Sequence, residues 1–332
     1  MKEPRVSYRV VVSIAALGLT ACGGPSGTTD ASPSDVATID DVSADTSTDD
    51  AADAATDTTA DAPANTLLTF GVFGDVRPPN FNDTANYPTM VLSSVIDGMQ
   101  SQGAQFALAT GDYIFAYDSA DTAVNAQLDL LLQAEARFSG PVFHAMGNHE
   151  CTTASTSNCP LGTESSGVRA FRTRLIPTRT ALYYDWSTPT PHGNAHFIMT
   201  APNAWSPEQQ TWLDTALAMP DQTYTFVVAH EPPTSNTIPP GTMPIEASMN
   251  MHPGGVTLRL YGHVHFYRHT GTNTVVVGNG GAPLSGTSAG ARYGFTIISQ
   301  RDDGNIVVTA YEVGSPPMVM ESFVLRSDGS AG

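Results

Sequence analysis

From residue 66 onward, apolar runs of strand length alternate with longer segments of helical pattern, and this alternation limits the fold more than any other feature. The predicted strands and helices of the first half follow one another at 66–75, 87–102, 104–112, 122–138 and 141–150. Strands joined through helices pair in parallel, with right-handed crossovers. The C-terminal third consists of short apolar runs with Gly or Asp-Gly turns. We therefore expect an α/β fold, a four-layer sandwich of two mixed β-sheets flanked by helices.

The first 21 residues have the pattern of an export signal. A basic start precedes an apolar run at 10–19, which is too short to cross a bilayer because a spanning helix needs roughly 20 residues. The sequence LTAC at 19–22 resembles the lipobox of bacterial lipoproteins, which implies cleavage before Cys22 and attachment of lipid to its thiol. An ordinary signal peptide with an incidental cysteine is the alternative. The lipobox interpretation predicts an exported lipoprotein of the cell envelope, in the outer membrane.

Cys22 and the segment up to residue 64 would then form a lipidated linker. Residues 23–64 consist mainly of Asp, Ala, Thr and Ser, with ten Asp and no Lys or Arg. Such a segment buries too little apolar surface to offset the entropy of ordering, so we predict a disordered spacer with a reach of roughly 35 Å. An acidic tail that binds a basic partner is the alternative. The remainder, 65–332, has the length of one large domain.

The predicted domain is acidic, with 21 Asp and Glu residues against eleven Arg and no Lys. Binding to a phosphate backbone depends on clustered positive charge, so a nucleic acid polymer is not an expected partner. A small phosphorylated molecule is compatible with this charge. The sequence indicates no particular oligomeric state.

Cys151 and Cys159 lie in a loop rich in Ser, Thr and Asn. An exported protein reaches an oxidising compartment, so we expect a disulfide between them. Ligation of a metal by the two thiolates is the alternative, although neither cysteine has the CxxC partner typical of such sites.

Five short polar motifs stand at or just after the ends of predicted strands. They contribute Asp75, Asp112, Asn148 with His149 and Glu150, His230, and the pair His263 and His265. Ligands of open α/β sheets bind outside the carboxyl ends of the strands, so the motifs are expected to converge on one edge. Oxygen and imidazole ligands of this kind suit Mn, Fe or Zn. The two histidines of GHVH, at i and i+2, are expected to point the same way along an extended chain.

In this order the motifs resemble those of calcineurin-like metallophosphoesterases, a family that includes the purple acid phosphatases and many phosphodiesterases. The resemblance extends over about residues 68 to 282. It implies a two-sheet sandwich, two divalent metal ions (Mn, Fe or Zn) and a small phosphorylated substrate. The glycine-rich segment 278–286 also resembles a turn that follows the last motif in bacterial members, and a plain loop is the alternative.

The resemblance also implies a role for each motif residue. Asp112 would bridge the two metals, and Asp75 with His265 would complete the first site. The remaining ligands, which would complete the second site, are Asn148, His230 and His263. His149 would act as general acid toward the leaving group, and Glu150 would orient or support it.

Two positions depart from the family's pattern. The residue two places after the first aspartate is usually histidine but is Arg77 here, which cannot bind a metal because a guanidinium has no acceptor lone pair. The tyrosine ligand of purple acid phosphatases corresponds to Phe115, and Tyr113 stands at the wrong offset, which disfavours the purple, ferric version. Three protein ligands still suffice for a catalytic metal. We expect the fork of Arg77 to bind a phosphate oxygen, and an ion pair with Asp75 is the alternative.

The residues together predict metal-dependent hydrolysis of a phosphate monoester or diester, on an exported protein tethered to a membrane through Cys22. Arg77 alone favours a different hypothesis, in which the site is degenerate and the chain is a tethered binding protein without catalysis.

Overall fold

The computed structural model describes residues 66–332, apart from 118, 152–158, 160–163, 237, 253 and 287–289. The predicted signal segment at 1–21, the lipidation site Cys22 and the linker up to residue 64 lie outside the described residues and stay predictions. Within the described part of the chain, no helix combines the length and apolar character needed to cross a membrane.

The described residues form twelve strands and five α-helices. The strands are β1 (Thr69–Phe73), β2 (Phe106–Ala109), β3 (Val142–His144), β4 (Tyr184–Thr190), β5 (Gly193–Met199), β6 (Gln222–Val228), β7 (Leu258–Tyr261), β8 (Tyr267–Thr270), β9 (Thr274–Val277), β10 (Gly294–Gln300), β11 (Ile306–Glu312) and β12 (Met318–Leu325). The helices are α1 (Thr89–Ser101), α2 (Asp121–Glu135), α3 (Ser166–Arg174), α4 (Pro207–Leu217) and α5 (Thr242–Met251). Single 3₁₀ turns lie at His149–Cys151 and Pro202–Ala204.

The strands form two six-stranded sheets of mixed direction. The first has the order β12-β11-β10-β1-β2-β3 and the second the order β4-β5-β6-β7-β9-β8. In the first sheet β1, β2 and β3 run parallel, with Phe70 opposite Phe106, while β10 to β12 are antiparallel to their neighbours. In the second, β5, β6, β7 and β9 are parallel, and the edge strands β4 and β8 are antiparallel. The prediction of two mixed sheets is confirmed.

Aromatic side chains fill the space between the sheets. The ring of Phe70 on β1 lies 5.3 Å from that of Phe197 on β5 and 5.1 Å from that of Phe226 on β6, both edge to face. Phe106 on β2 contacts Phe197 in the same way, at 5.2 Å. Full burial of each such ring contributes roughly 1.5–3 kcal/mol. This packing fixes one sheet against the other, and with it the strand ends that both sheets contribute to the site.

Helices cover the outer faces of both sheets. On the first sheet α1 packs closely enough that a Cβ at Gly71 would lie 2.3 Å from the sulfur of Met99. On the second, Leu213 of α4 and Ile245 of α5 join a buried cluster with Ile198 of β5. The layers therefore run helix, sheet, sheet, helix, as predicted.

The helix predicted at 87–102 is present as α1 (Thr89–Ser101), and the one predicted at 122–138 as α2 (Asp121–Glu135), which begins one residue earlier and ends three residues earlier. The strand predicted at 66–75 is the shorter β1 (Thr69–Phe73). The third strand, predicted to extend over 141–150, ends at His144. Beyond it the chain leaves the sheet and approaches the second motif, where a Cβ at Gly147 would lie 2.4 Å from Oδ1 of Asp112. The early end of β3 therefore brings the third motif up to Asp112.

Candidate metal centre

The five predicted motifs come together at the carboxyl ends of parallel strands from both sheets. In chain order, Asp75 follows β1, Asp112 follows β2, the 148–150 motif follows β3, His230 follows β6, and His263 and His265 follow β7. Ligands of α/β sheets bind at such strand ends. The convergence expected from the sequence is therefore present in the fold.

Three of these residues have left-handed backbone conformations: Asp75 has φ 54°, Asp112 has φ 61° and His263 has φ 69°. Such conformations cost of order 1–3 kcal/mol each for residues other than glycine, and they persist only where the surroundings impose them. The amide of Asp75 donates to the carbonyl of Gly111 at 3.0 Å. The amide of His263 donates to Oδ2 of Asp75 at 2.9 Å. These contacts hold Asp75 between the strand end of β2 and the turn that carries His263.

The first candidate ligand group consists of Asp75, Asp112 and His265, whose ligand atoms lie within 4.8 Å of one another. Nε2 of His265 lies 3.5 Å from Oδ1 of Asp75. The other ring nitrogen, Nδ1, donates to the carbonyl of Pro283 at 2.8 Å, so Nε2 carries the lone pair that faces the carboxylates. This orientation is the one that a metal-binding imidazole requires.

The second group consists of Asp112, His230 and His263, again with ligand atoms within 4.8 Å. Nδ1 of His230 donates to the carbonyl of Thr110 at 2.8 Å, which turns its Nε2 toward Oδ1 of Asp112 at 3.2 Å. Oδ1 of Asn148 lies 3.2 Å from that Nε2 and 2.9 Å from Nδ1 of His263. Asn148 is therefore placed to add a fourth ligand atom, and Asp112 is common to both groups.

The buried charges of the cluster are poorly balanced by the protein alone. Burial raises the pKa of Asp75 well above its usual range, and the neighbouring Asp112 adds to this. Oδ1 of Asp75 is buried and accepts no hydrogen bond from the described residues. An unpaired buried carboxylate oxygen is unfavourable, and a cation between the carboxylates would satisfy it.

The imidazoles of His263 and His230 differ in their protonation state. Burial lowers the pKa of His263 to about 4, so its ring is neutral at neutral pH and available as a ligand. For His230, burial lowers the pKa, but Asp112 beside it outweighs burial and raises the pKa well above its usual value. The oxygen and imidazole donors present fit divalent Mn, Fe or Zn, and metal binding would displace the proton from His230.

Arg77 lies inside the cluster, where the resemblance places a histidine. Its Nε is 3.9 Å from Oδ2 of Asp112, and its Nη2 is 3.5 Å from Nε2 of His265. The guanidinium carbon stands 4.5 Å from the centre of the Phe115 ring, above its face. Among the described residues the ion pair of Arg77 is with Asp112, which corrects the alternative expectation of an ion pair with Asp75. Nε of Arg77 is buried and donates no hydrogen bond within the part of the chain that the structure describes.

His149 borders the cluster on the side of Asp112. Its amide donates to Oδ1 of Asp112 at 3.0 Å, and its Nε2 lies 3.7 Å from Oδ2. The ring also meets Phe115 edge to face at 4.6 Å. Burial lowers the pKa of His149 to about 3, in spite of the opposing effect of Asp112. The imidazole is therefore neutral at neutral pH in the absence of an anion.

Glu150 supports the backbone around Asp112. Its Oε2 accepts from the amides of Asp112 at 3.0 Å and Gly147 at 2.7 Å, and its Oε1 accepts from the amide of Tyr113 at 2.8 Å. Burial raises the pKa of Glu150 to about 7, and the charge of Asp112 acts in the same direction. The carboxylate ties the second and third motifs together, and its three hydrogen bonds are to backbone amides.

The GHVH segment reaches the cluster by a turn, which corrects the expectation of an extended chain. The amide of Val264 donates to the carbonyl of Gly262 at 2.8 Å, and the amide of Phe266 donates to the carbonyl of Val264 at 2.7 Å. The first of these tight turns is centred on His263, whose backbone is left-handed, and the second is centred on His265. The two histidines therefore serve different ligand groups, although both reach Asp112.

Several supporting contacts were not predicted. The carbonyls of Thr110 and Pro283 orient His230 and His265, and backbone carbonyls leave no signal in residue type. Pro283 does lie in the glycine-rich segment 278–286 that the sequence singled out. Glu231, directly after His230, is fully buried and accepts from Nδ2 of Asn203 at 2.5 Å; a carboxylate next to a motif histidine was the available signal.

The predicted disulfide is present: Cys151 and Cys159 are bonded. The alternative of thiolate metal ligation is therefore wrong for this pair. Cys151 closes the 3₁₀ turn that carries His149 and Glu150, so the disulfide fixes the chain directly after the third motif.

Residues 68–267 match the family model of calcineurin-like phosphoesterases. Among solved structures, the chain resembles purple acid phosphatase PPD1 from yellow lupin (Lupinus luteus) seeds, with a TM-score of 0.60 and 19% identity over 82% of this chain and 57% of that one. It resembles a dimetal phosphatase from Danio rerio with a TM-score of 0.55 and 14% identity, over 78% of this chain and 99% of the other. PhoD gives a TM-score of 0.51 and 12% identity, over 81% of this chain and 72% of that one.

The chain thus spans little more than half the length of the lupin protein. No curated protein matches it in sequence. At identities below 20%, the three structures show a common fold.

Proposed function

The chain belongs to the calcineurin-like phosphoesterase family, and we propose that it hydrolyses phosphate esters at the cluster around Asp112 with two divalent metal ions. The observation that carries the proposal is the position of the Asp112 carboxylate, which is common to both ligand groups. A dinuclear site needs such a shared ligand, and a carboxylate has two oxygens with which to provide it.

Each ion would have its own set of ligands. Asp75 and His265 would bind the first ion together with Asp112. The second ion would be bound by Asp112 together with Asn148, His230 and His263. Two bound ions of this kind supply a nucleophilic water at neutral pH and stabilise charge on the phosphate oxygens. The donor set is compatible with Mn, Fe or Zn.

Arg77 binds a non-bridging oxygen of the phosphate in this proposal. Two observations support the role: its Nε makes no hydrogen bond to the described residues, and it lies beside Asp112. Guanidinium groups form strong charge-assisted hydrogen bonds to phosphate. The face of Phe115 holds the guanidinium plane in position. A donor that is already fixed loses little entropy when the anion binds.

His149 donates a proton to the leaving alkoxide, and Glu150 keeps its turn in place. A neutral imidazole is a weak acid, but the negative charge of a bound phosphate ester favours the protonated ring. Glu150 acts through the backbone amides of Asp112, Tyr113 and Gly147, so we assign it a positioning role.

The N-terminal prediction belongs to the same proposal: the chain is exported, lipidated at Cys22 and tethered to the outer membrane, with the acidic linker as spacer. Its substrate is a small phosphorylated molecule, a monoester or a diester, and not a nucleic acid polymer. Fractionation of cells that express the Cys22→Ser variant tests the tether. The variant should leave the membrane fraction, and its retention there would contradict the lipid anchor.

The test of activity uses the full-length chain with p-nitrophenyl phosphate and bis-p-nitrophenyl phosphate, with Mn²⁺ added or EDTA present. We expect turnover with Mn²⁺ and its loss with EDTA, and the ratio of the two rates distinguishes a monoesterase from a diesterase. Absence of turnover with Mn²⁺, Zn²⁺ and Fe²⁺ would favour the second candidate, a tethered binding protein whose first metal position Arg77 has disabled.

A further inference from the structure

Three aromatic side chains form a stack that begins at the candidate metal centre and ends in solvent. The ring centres of Phe115 and Phe81 are 4.0 Å apart, and those of Phe81 and Tyr117 are 4.3 Å apart with planes inclined by 7°. Phe115 and Phe81 are half-buried, and Tyr117 is 48% exposed. We refer to Phe115, Phe81 and Tyr117 as the aromatic column.

The inner end of the column contacts two side chains of the proposed site. One is assigned to the phosphate and the other to the leaving group. Phe115 lies under the guanidinium of Arg77 at 4.5 Å, and it meets the ring of His149 at 4.6 Å. Arg77 is assigned to the phosphate and His149 to the leaving group. A leaving group that extends outward from His149 would therefore pass along Phe81 and Tyr117.

Hydrogen bonds hold the column in place. The side chain of Gln127, fully buried, accepts from the amide of Phe115 at 2.7 Å and donates to its carbonyl at 3.2 Å. The amide of Asn82 donates to that same carbonyl at 2.8 Å, and Oδ1 of Asn82 accepts from the amide of Tyr117 at 3.0 Å. The two loops that carry the rings are thereby joined. Rings that are fixed while partly exposed can bind a ligand with little further ordering.

We propose that the aromatic column is a subsite for a planar aromatic group on the leaving side of the phosphate ester, so that aryl, arylalkyl or heteroaromatic esters are the preferred substrates. The inference rests on the proposed function. Phe81 has a neighbouring ring on either side, so the ligand ring meets the ring edges of the column or the solvent-facing side of Tyr117. Edge-to-face and offset contacts are the favoured geometries of aromatic pairs.

The test compares benzyl phosphate with cyclohexylmethyl phosphate, which have the same number of carbons and differ in the planarity and π-system of the ring. For the wild-type chain with Mn²⁺ we expect kcat/KM to be about two- to tenfold higher for the benzyl ester, the range for one or two aromatic contacts. The variants Tyr117→Leu and Phe81→Leu should bring the ratio close to one. The matched control is Phe323→Leu on β12, where the ring stacks on His269 at 3.8 Å and away from the site; it should keep the wild-type ratio.

A wild-type ratio near one, or a ratio that both column variants retain, would overturn the subsite. Tyr117 is exposed, so its variant decides the question if Phe81→Leu does not fold. Calorimetric binding of benzylphosphonate and cyclohexylmethylphosphonate to the same variants needs no turnover. One outcome separates the two proposals: the chain hydrolyses no ester, but it binds the benzyl compound more tightly and Tyr117→Leu removes this preference. That outcome would refute the proposed function and support the subsite. Absence of any binding preference would refute the subsite alone, whatever the hydrolysis shows.

Discussion

Nε of Arg77 lies 3.9 Å from Oδ2 of Asp112, the carboxylate that both candidate ligand groups share. A fixed positive charge therefore stands where the family resemblance places a neutral histidine. This charge weakens the attraction of the first position for a cation, and it strengthens the attraction of the site for a phosphate anion. The two effects can be separated by experiment.

The Arg77→Ala variant should lose affinity for phosphate and keep its metal. Loss of a hydrogen bond to a charged group costs about 1.5–3 kcal/mol, so the Ki of inorganic phosphate should rise roughly 10- to 100-fold. The matched control is Arg268→Ala. This variant removes a guanidinium of β8 that stands 4.7 Å above the ring of Phe266, the residue before β8. If Arg77→Ala lost bound metal and kept its affinity for phosphate, the assignment of Arg77 to the phosphate would be wrong.

Removal of single ligands should distinguish the two metal positions. His265→Ala should reduce the metal content from two ions per chain to about one, and His263→Ala should do the same at the other position. Asp112→Asn should reduce binding at both, because both groups include its carboxylate. Metal content after dialysis against Mn²⁺ measures this. His269→Ala, a histidine outside both groups, is the control, and an Asp112→Asn chain that keeps two ions would contradict a bridging role.

Metal binding should release protons, because His230 holds one in the metal-free protein. Burial lowers the pKa of His230, but the charge of Asp112 outweighs burial and raises this pKa well above its usual value. Burial also raises the pKa of Asp75. A raised pKa means that these groups are protonated below it, so the affinity for Mn²⁺ should fall as the pH is lowered, about tenfold per pH unit for each proton displaced. Calorimetry in buffers of different ionisation enthalpy counts the protons. An affinity that does not change between pH 8 and pH 5.5 would contradict the coupling.

The convergence of the five motifs could be predicted because its signal is local. Each motif is a short polar sequence at the end of an apolar run, and the topology rule for α/β sheets brings such ends together. The conformation of GHVH could not be predicted in this way. A histidine with φ 69° is uncommon, and it is imposed by contacts with Asp75, 188 residues earlier in the chain.

The partner of Arg77 also depends on distant residues. Proximity in sequence favours Asp75, two residues away, as the partner of an ion pair with Arg77. In the fold, the guanidinium is directed by the face of Phe115, and the loop of Phe115 is in turn fixed by Gln127 from α2. Such a chain of contacts between loops has no periodicity or spacing for sequence analysis to detect. The aromatic column was not predicted for the same reason.

Glu150→Gln should destabilise the fold more than it alters any contact with substrate. The glutamine places an NH₂ group against backbone amides that now donate to the carboxylate, and a buried donor without an acceptor costs roughly 1–3 kcal/mol. Urea unfolding with the disulfide intact measures the change. The control is Glu164→Gln, which removes an exposed ion pair with Arg172 and should change the unfolding free energy by less than about 1 kcal/mol. Equal stability of the two variants would contradict the positioning role.

His149→Ala should slow hydrolysis most for esters whose leaving groups need a proton. The imidazole lies beside Asp112 and contacts Phe115 on the leaving side of the proposed site. A general acid contributes typically 10²- to 10⁴-fold. We therefore expect a loss in that range for an alkyl phosphate, and a much smaller loss for p-nitrophenyl phosphate, whose leaving group is stable as an anion. The structural alternative is that His149 only supports Asp112 through its backbone amide, which the alanine variant retains. Equal losses for the two esters would show that His149 transfers no proton, and the proposal would then need another donor.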